Sequence, residues 1–297
     1  MMSGMETSRE LRRLVLGYQV SQAIHVAAVL GLSDLLANGP LSAGELAVAT
    51  DCDPRSLHRL LRALATVGVY EELPDGRYAS TALGDELRSD SDDSIRGWAA
   101  SIGRPYVWEA WSALLHSVRT GENAFRSVHG RSVWAYRADH PEDSAAFDAA
   151  MASISRRMAS SIIDAYDFGR FSIVVDVGGG TGTLLSAILG RNPSLHGVLF
   201  DQPHVASAAT RLMQRAGVSS RCRIVGGDMF HAIPPDGDCY LLKSIIHDWE
   251  DAEALAILKS CARAMDNTAT LVMVERLLDG GSGQDVAFSD LNMLPDQ

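Results

Sequence analysis

Ile173-Val174-Val175-Asp176-Val177-Gly178-Gly179-Gly180-Thr181-Gly182 decides how the rest of the chain is read. An apolar, β-branched run carries an acid and closes on a glycine cluster, and a helix-like stretch, Leu184 to Leu189, follows. That order predicts a buried parallel strand, a tight turn and a helix whose N-terminus faces a ligand. Glycine lets the backbone approach a ligand closely and take up φ > 0. A dinucleotide fingerprint would read G-x-G-x-x-G, but counted from Gly178 its sixth position is Thr183. In nucleoside-binding folds a second acid lies about 20 residues on and holds ribose hydroxyls. Val198-Leu199-Phe200-Asp201 supplies it. A glycine-rich turn without a ligand is the competing reading, and the agreement of glycines, acid and strand order argues against it.

Downstream the pattern alternates. Ile173 to Val177, Gly197 to Phe200, Cys222 to Val225, Cys239 to Ile246 and Thr270 to Val274 are predicted strands with helical segments between them. This is a doubly wound α/β sheet, with its ligand at the carboxyl ends of the strands.

Upstream the chain reads differently. Leu11 to Leu36 has helical recurrence, with Gly31 as a C-cap. Ser42 and Glu45 form an S-x-x-E box at a helix start, and Asp53-Pro54 opens a second helix that ends at Gly68. Val69 to Leu73 and Arg77 to Ser80 flank Pro74-Asp75-Gly76 as two short strands. Helix, helix, hairpin is a winged-helix pattern. Arg55, His58, Arg59 and Arg62 on its second helix suggest DNA, but Glu71, Glu72 and Asp75 on the wing would repel phosphate, so a dimerisation module is the preferred reading. Asp90 to Asp93 is an acidic connector, Ile95 to Arg119 a predicted helix with Trp98, Trp108 and Trp111, and Gly121 to Gly130 a polar loop. The three tryptophans floor a pocket or, more simply, fill a core. Trp134 to Tyr166 reads as helices with a Met-rich face.

Bulk properties bound the function. A length of 297 residues allows two domains, and a formal charge of −11 disfavours nucleic acid as a partner. No apolar run reaches the ~18 residues that span a bilayer, and the start has no secretory signal pattern, so a cytoplasmic protein is expected. Cys52, Cys222, Cys239 and Cys261 lack metal-ligand spacing, so no metal site is expected and the thiols read as reduced.

Two further strand ends carry chemistry. Gly226-Gly227-Asp228-Met229-Phe230 closes the third strand, where an acid and an apolar neighbour can take an adenine edge and ring, or simply form a turn. Tyr240-Leu241-Leu242-Lys243-Ser244-Ile245-Ile246-His247-Asp248-Trp249 closes the fourth, with His247 at the tip and Asp248 able to cap the next helix, Glu250 to Met265.

These motifs, D-V-G-G-G-T-G, F-D-Q-P, G-G-D-M-F and L-L-K-S-I-I-H-D-W-E-D, resemble the S-adenosylmethionine (SAM)-dependent O-methyltransferases of the plant caffeate and bacterial polyketide type. The resemblance runs from about Leu11 to Leu294. It implies a Rossmann-like methyltransferase domain after a mostly helical winged-helix dimerisation domain, divided as 1–92, a helical linker and substrate-lining region 93–168, and a SAM-binding domain 169–297. It also implies a homodimer that transfers methyl from SAM to an aromatic hydroxyl in secondary metabolism. By motif position Gly178, Gly179 and Gly180 cradle the methionyl part, Asp201 the ribose, Asp228 and Met229 the adenine, and Lys243 lines the cleft. His247 matches the general base, Glu275 an acid that orients it, and Asp248 a carboxylate that favours its imidazolium. Trp134 and Met151 fall at substrate or lid positions.

The resemblance also implies a further segment beyond Leu294-Pro295-Asp296-Gln297, holding a second acid and the last strands of the sheet, so an open sheet edge is expected. A SAM-binding homologue of hydroxylase or decarboxylase type, and an inactive truncated dimerisation partner, stand as the alternatives.

Overall fold

In a computed structural model of the chain, residues 4–91, 94–278 and 283–295 are described. Met1 to Ser3, Asp92 and Asp93 of the expected connector, and Asp296 and Gln297 lie outside these residues, as does the expected boundary at 92–93. The chain divides into two compact units, residues 1–105 and 106–297.

The first unit opens with α1 (Gly4–Val15), α2 (Gly17–Leu30) and α3 (Leu32–Leu36). Gly31 ends α2 at φ 67°, and its N–H donates to the Ala27 and Ala28 carbonyls, as the glycine there predicted. A short strand, β1 (Leu41–Ser42), leads into α4 (Ala43–Thr50) and α5 (Pro54–Thr66). The capping box forms: the Glu45 N–H donates to Ser42 Oγ at 3.2 Å, and the Ser42 N–H donates to Glu45 Oε2 at 2.8 Å. Asp53 caps α5 through the Ser56 N–H at 2.8 Å. The wing is β2 (Tyr70–Glu72) against β3 (Arg77–Ser80), and β1 completes an antiparallel sheet in the order β1-β3-β2. Leu46, Leu57, Leu61 and Leu64 bury one helical face with Tyr70 and Tyr78. Two helices, α6 (Ala82–Asp85) and α7 (Arg96–Ile102), finish the unit. Replacing Ser42 with alanine is expected to lower the unfolding midpoint by about 2–4 °C in a thermal melt, because α4 loses one cap.

The second unit begins with short helices: α8 (Pro105–Ser112), α9 (Leu114–Thr120), α10 (Ala124–His129) and α11 (Val133–Asp139). The single helix expected over Ile95 to Arg119 is therefore three, α7 to α9, because Gly103 precedes Pro105, which has no N–H to continue a ladder. The polar loop expected over Gly121 to Gly130 holds α10. Asn123 Oδ1 accepts the Arg126 N–H at 2.8 Å, and Gly121 and Gly130 adopt positive φ on either side. A long helix, α12 (Pro141–Ala165), then leads to the sheet.

The sheet strands are β4 (Ile173–Val177), β5 (His196–Asp201), β6 (Cys222–Gly226), β7 (Cys239–Lys243) and β8 (Thr270–Val274). All pairs are parallel and the spatial order is β6-β5-β4-β7-β8, the doubly wound sheet expected. Its connecting helices are α13 (Thr183–Arg191), α14 (Pro203–Arg215) and α15 (Asp251–Ala264), with α16 (Gln284–Asn292) following β8. Alternation along the strands splits the core into two layers. Val174, Leu199 and Leu241 pack with Leu185, Leu189 and Met213 on one face, while Val175, Phe200 and Tyr240 pack with Ile257 and Cys261 on the other. Among the described residues β8 is an edge strand, with Met273 54% exposed. The fourth strand ends at Lys243, three residues short of the expected Ile246, because Ser244 turns out at φ 56°.

Candidate active site

A cavity of about 700 Å3 opens where β4, β5, β6 and β7 end. The glycine turn after β4 forms its floor. Gly178, Gly180 and Gly182 have φ of 70°, 59° and 83°, values that side chains rarely tolerate. The Gly178 N–H donates to the Phe200 carbonyl at 2.8 Å and the Gly180 N–H to Asp201 Oδ2 at 2.7 Å, so the turn is folded back on the end of β5. At Gly180 an added Cβ would meet nothing within 4 Å: the turn presents bare backbone to open space.

Acids surround this floor. Asp176 is 2% exposed and its Oδ2 has no hydrogen-bond partner. Burial, with Asp201 nearby, pushes its carboxyl up to about 7. Burial also raises the Asp201 carboxyl, opposed by the N–H groups of Gly180 and Gln202. Asp228 accepts from the Phe230 N–H at 2.9 Å and pairs with His231 at 2.7 Å. Met229 and Phe230 lie beside it on the wall. Lys243 Nζ donates to Ser155 Oγ at 3.2 Å, and burial lowers its ammonium below the usual range.

A second cavity, about 1020 Å3, shares Trp134, Asp248 and Trp249 with the first. Trp134 and Trp249 stack with centroids 6.0 Å apart, and Phe230 meets Trp249 edge-on at 4.7 Å. His247 lines this second cavity. It sits on a 3-10 turn, Ile246–Asp248, after the Ser244 kink. Glu275, just past β8, holds the turn: its Oε1 accepts the Ile245 and Ile246 N–H groups, each at 2.9 Å. Its Oε2 lies 2.5 Å from His247 Nδ1, and Asp248 Oδ1 lies 3.2 Å from His247 Nε2. The Glu275 hydrogen bond raises the His247 pKa above its usual value; burial opposes this and the Asp248 charge reinforces it. For Glu275, burial pushes upward, but the His247 bond and charge and the two backbone donors hold its carboxyl below the usual range.

The structure thus gathers Gly178, Gly179, Gly180, Asp201, Asp228, Met229, Lys243, Trp134 and Met151 on the first cavity, and His247 and Asp248 at the second, with Glu275 behind them. Asp248 does not cap the helix that follows. That helix begins at Asp251 with Glu250 in the N-cap position, and Asp248 faces the imidazole instead. Trp98, Trp108 and Trp111 line neither cavity; the Trp111 indole N–H donates to Asn292 Oδ1 at 3.0 Å and pins α16. The aromatic walls of the first cavity are Trp134, Phe147, Phe200, Phe230 and Trp249, and the motif around Trp249 gave it no role in the sequence.

The O-methyltransferase domain family matches residues 111–296, and the O-methyltransferase dimerisation domain family matches residues 12–90. The chain belongs to the O-methyltransferase family. This O-methyltransferase is 43% identical to phenazine O-methyltransferase PhzM of Lysobacter antibioticus, over 96% of its own length and 83% of that protein's. It is 40% identical to mitomycin biosynthesis 6-O-methyltransferase of Streptomyces lavendulae, over 92% and 79% of the two chains. The crystal structure of LaPhzM superposes with a TM-score of 0.93 at 42% identity, covering 98% of this chain and 87% of that one. NcsB1 from neocarzinostatin biosynthesis, solved with SAM and 2-hydroxy-5-methyl naphthoic acid, matches with a TM-score of 0.77 at 35% identity over 93% and 84% of the chains.

The first cavity of this O-methyltransferase fits the methyl donor of its family. The orphaned Asp176 Oδ2 and the bare Gly180 backbone suit a zwitterionic methionyl group, an acid ends β5, and apolar side chains follow β6. Among the described residues no helix is long and apolar enough to cross a membrane.

Proposed function

We propose that this O-methyltransferase methylates a hydroxyl of a small aromatic natural product, with His247 as general base and SAM as donor. One observation carries the reading: an imidazole backed by Glu275 stands where the acceptor cavity adjoins the cleft that fits the donor. Bound SAM supplies an electrophilic methyl on a positively charged sulfur. Gly178, Gly179 and Gly180 bound the methionyl side, with Asp176 available to an ammonium. Asp201 takes ribose hydroxyls, Asp228 and Met229 the adenine, and Lys243 and Met151 close the cleft. The stacked pair Trp134 and Trp249 abuts a flat acceptor and excludes water.

The proton sets the difficulty. A phenol near pKa ~10 facing an imidazole near ~6.5 makes full transfer uphill by roughly 5 kcal/mol. Glu275 narrows that gap by stabilising imidazolium, and Asp248 adds to it. The neutral imidazole is the working form, so activity rises with pH through the His247 pKa. Replacing Glu275 with glutamine removes the carboxylate that raises this pKa. The acidic limb of the kcat/KM profile should move to lower pH, and the plateau should fall roughly 10-fold as the base weakens. A limb that stays in place would remove Glu275 from this role.

The relative named aclacinomycin 10-hydroxylase RdmB of Streptomyces purpurascens, 35% identical over 92% of this chain, keeps a hydroxylase reading in view. The His247–Glu275 pair favours methyl transfer over it. The proposed assembly is a cytoplasmic homodimer. Leu11, Leu14, Val15, Tyr18 and Val29 are all more than half exposed on α1 and α2, a surface a second copy would cover.

A further inference from the structure

Helix α12 turns one face to the first cavity: Ser144, Phe147, Asp148, Met151, Ala152 and Ser155, at helical spacing. Asp148 is the one charged residue of the six. Among the described residues no N–H or O–H group donates to it, and it is half-buried. Such a carboxylate is free to take a donor from a ligand that displaces the water in the cavity.

The surroundings indicate which donor. Burial and the Asp201 charge work against its ionisation, pushing the carboxyl up to about 6, while His204 and Arg137 favour it. Asp176, beside the glycine turn, also feels Asp201, but with Lys243 in place of His204 and Arg137. Asp148 lines the same cavity as Asp201 and His204, which lie at and just beyond the end of β5. Asp201 already accepts one backbone N–H on each oxygen. Two carboxylates on one cavity, Asp148 without a donor and Asp201 with lone pairs left beyond its two backbone donors, suit a pair of adjacent hydroxyls.

We propose that Asp148 is a second ribose-binding carboxylate, gripping the diol of the bound nucleoside from α12 while Asp201 grips it from β5. This rests on the first cavity being the SAM cleft. It makes α12 part of the donor site, on the helix whose Phe147 meets Trp134 of the wall shared with the acceptor cavity.

The test is calorimetric titration of the full chain with S-adenosylhomocysteine (SAH) and with its 2′-deoxy and 3′-deoxy forms. Asp148→Asn should weaken SAH about 10-fold. In the wild type one deoxy form should be weaker by a similar factor, and Asp148→Asn should change the affinity of that form by less than twofold. The apo protein gives the second readout. A carboxyl raised above its ordinary ~3.9 makes the folded state lose stability as pH rises from that value through about 6. Asp148→Asn escapes that loss, so at pH 8 its apo Tm should rise by about 2–4 °C while SAH binding falls. A merely structural defect would lower both. Unchanged SAH affinity in Asp148→Asn, or equal weakening of SAH and both deoxy forms, overturns the inference alone. A wild-type protein that binds no SAH overturns the cleft assignment and the inference with it.

Discussion

Replacing His247 with glutamine is expected to lower kcat for methyl transfer by ~10²–10⁴-fold, the usual contribution of a positioned base. SAH affinity should change by less than twofold, because His247 lines the acceptor cavity and not the donor cleft. Glutamine keeps the size and a hydrogen-bonding end, so the 3-10 turn and the contact to Glu275 can survive. The loss should depend on the acceptor. Phenols of low pKa are already phenolate at pH 8 and need no base, so the deficit of the variant should shrink along a series of increasingly acidic phenols. A deficit of less than threefold, or one that is constant along the series, would assign the imidazole to packing.

The second large effect is expected at Gly180. Valine there has nothing to strike within the protein, since no atom lies within 4 Å of the added Cβ. It must instead accept φ near 59°, at a cost of about 1–2 kcal/mol for a branched side chain, and it projects into the cleft. SAH affinity should fall on the order of 100-fold, about 2.7 kcal/mol, with only a modest drop in Tm. Gly190→Ala is the control: it too has open space around it, but it lies inside α13 without a positive φ. That change should leave binding intact and stabilise the protein slightly. Equal binding by Gly180→Val and Gly190→Ala would show that the turn does not meet the ligand.

The sheet was legible because its strands are short apolar runs, punctuated by glycine or acid at the carboxyl ends of β4, β5, β6 and β8. That punctuation also marks the site, so Gly178 to Gly180, Asp201, Asp228 and His247 could be picked out from spacing and motif. The winged helix was legible through its caps, Ser42, Asp53 and Gly31, which act within one turn of chain. What escaped is of two kinds, local breaks and contacts distant in sequence. The break at Gly103 to Pro105 and the short α10 between two glycines are local features that a run of helix formers concealed. Glu275 could be placed only by resemblance; nothing near it in sequence says that its carboxylate reaches back to Ile245, Ile246 and His247. Asp148 did leave a trace: an acid within the apolar recurrence of Phe147, Met151 and Ile154. Of the two roles read for Asp248, the helix cap gives way to the carboxylate beside His247, and the positive φ at Ser244 that precedes this tip is not announced by its neighbours.

The indole pair Trp134 and Trp249 is a party wall, one face toward each chamber. Widening the acceptor repertoire by cutting into it would disturb donor affinity at the same stroke. The far side of the acceptor chamber, where Phe288 and Leu291 of α16 stand, touches only one tenant. Divergence toward new acceptors has the freer hand there, and so does an engineer.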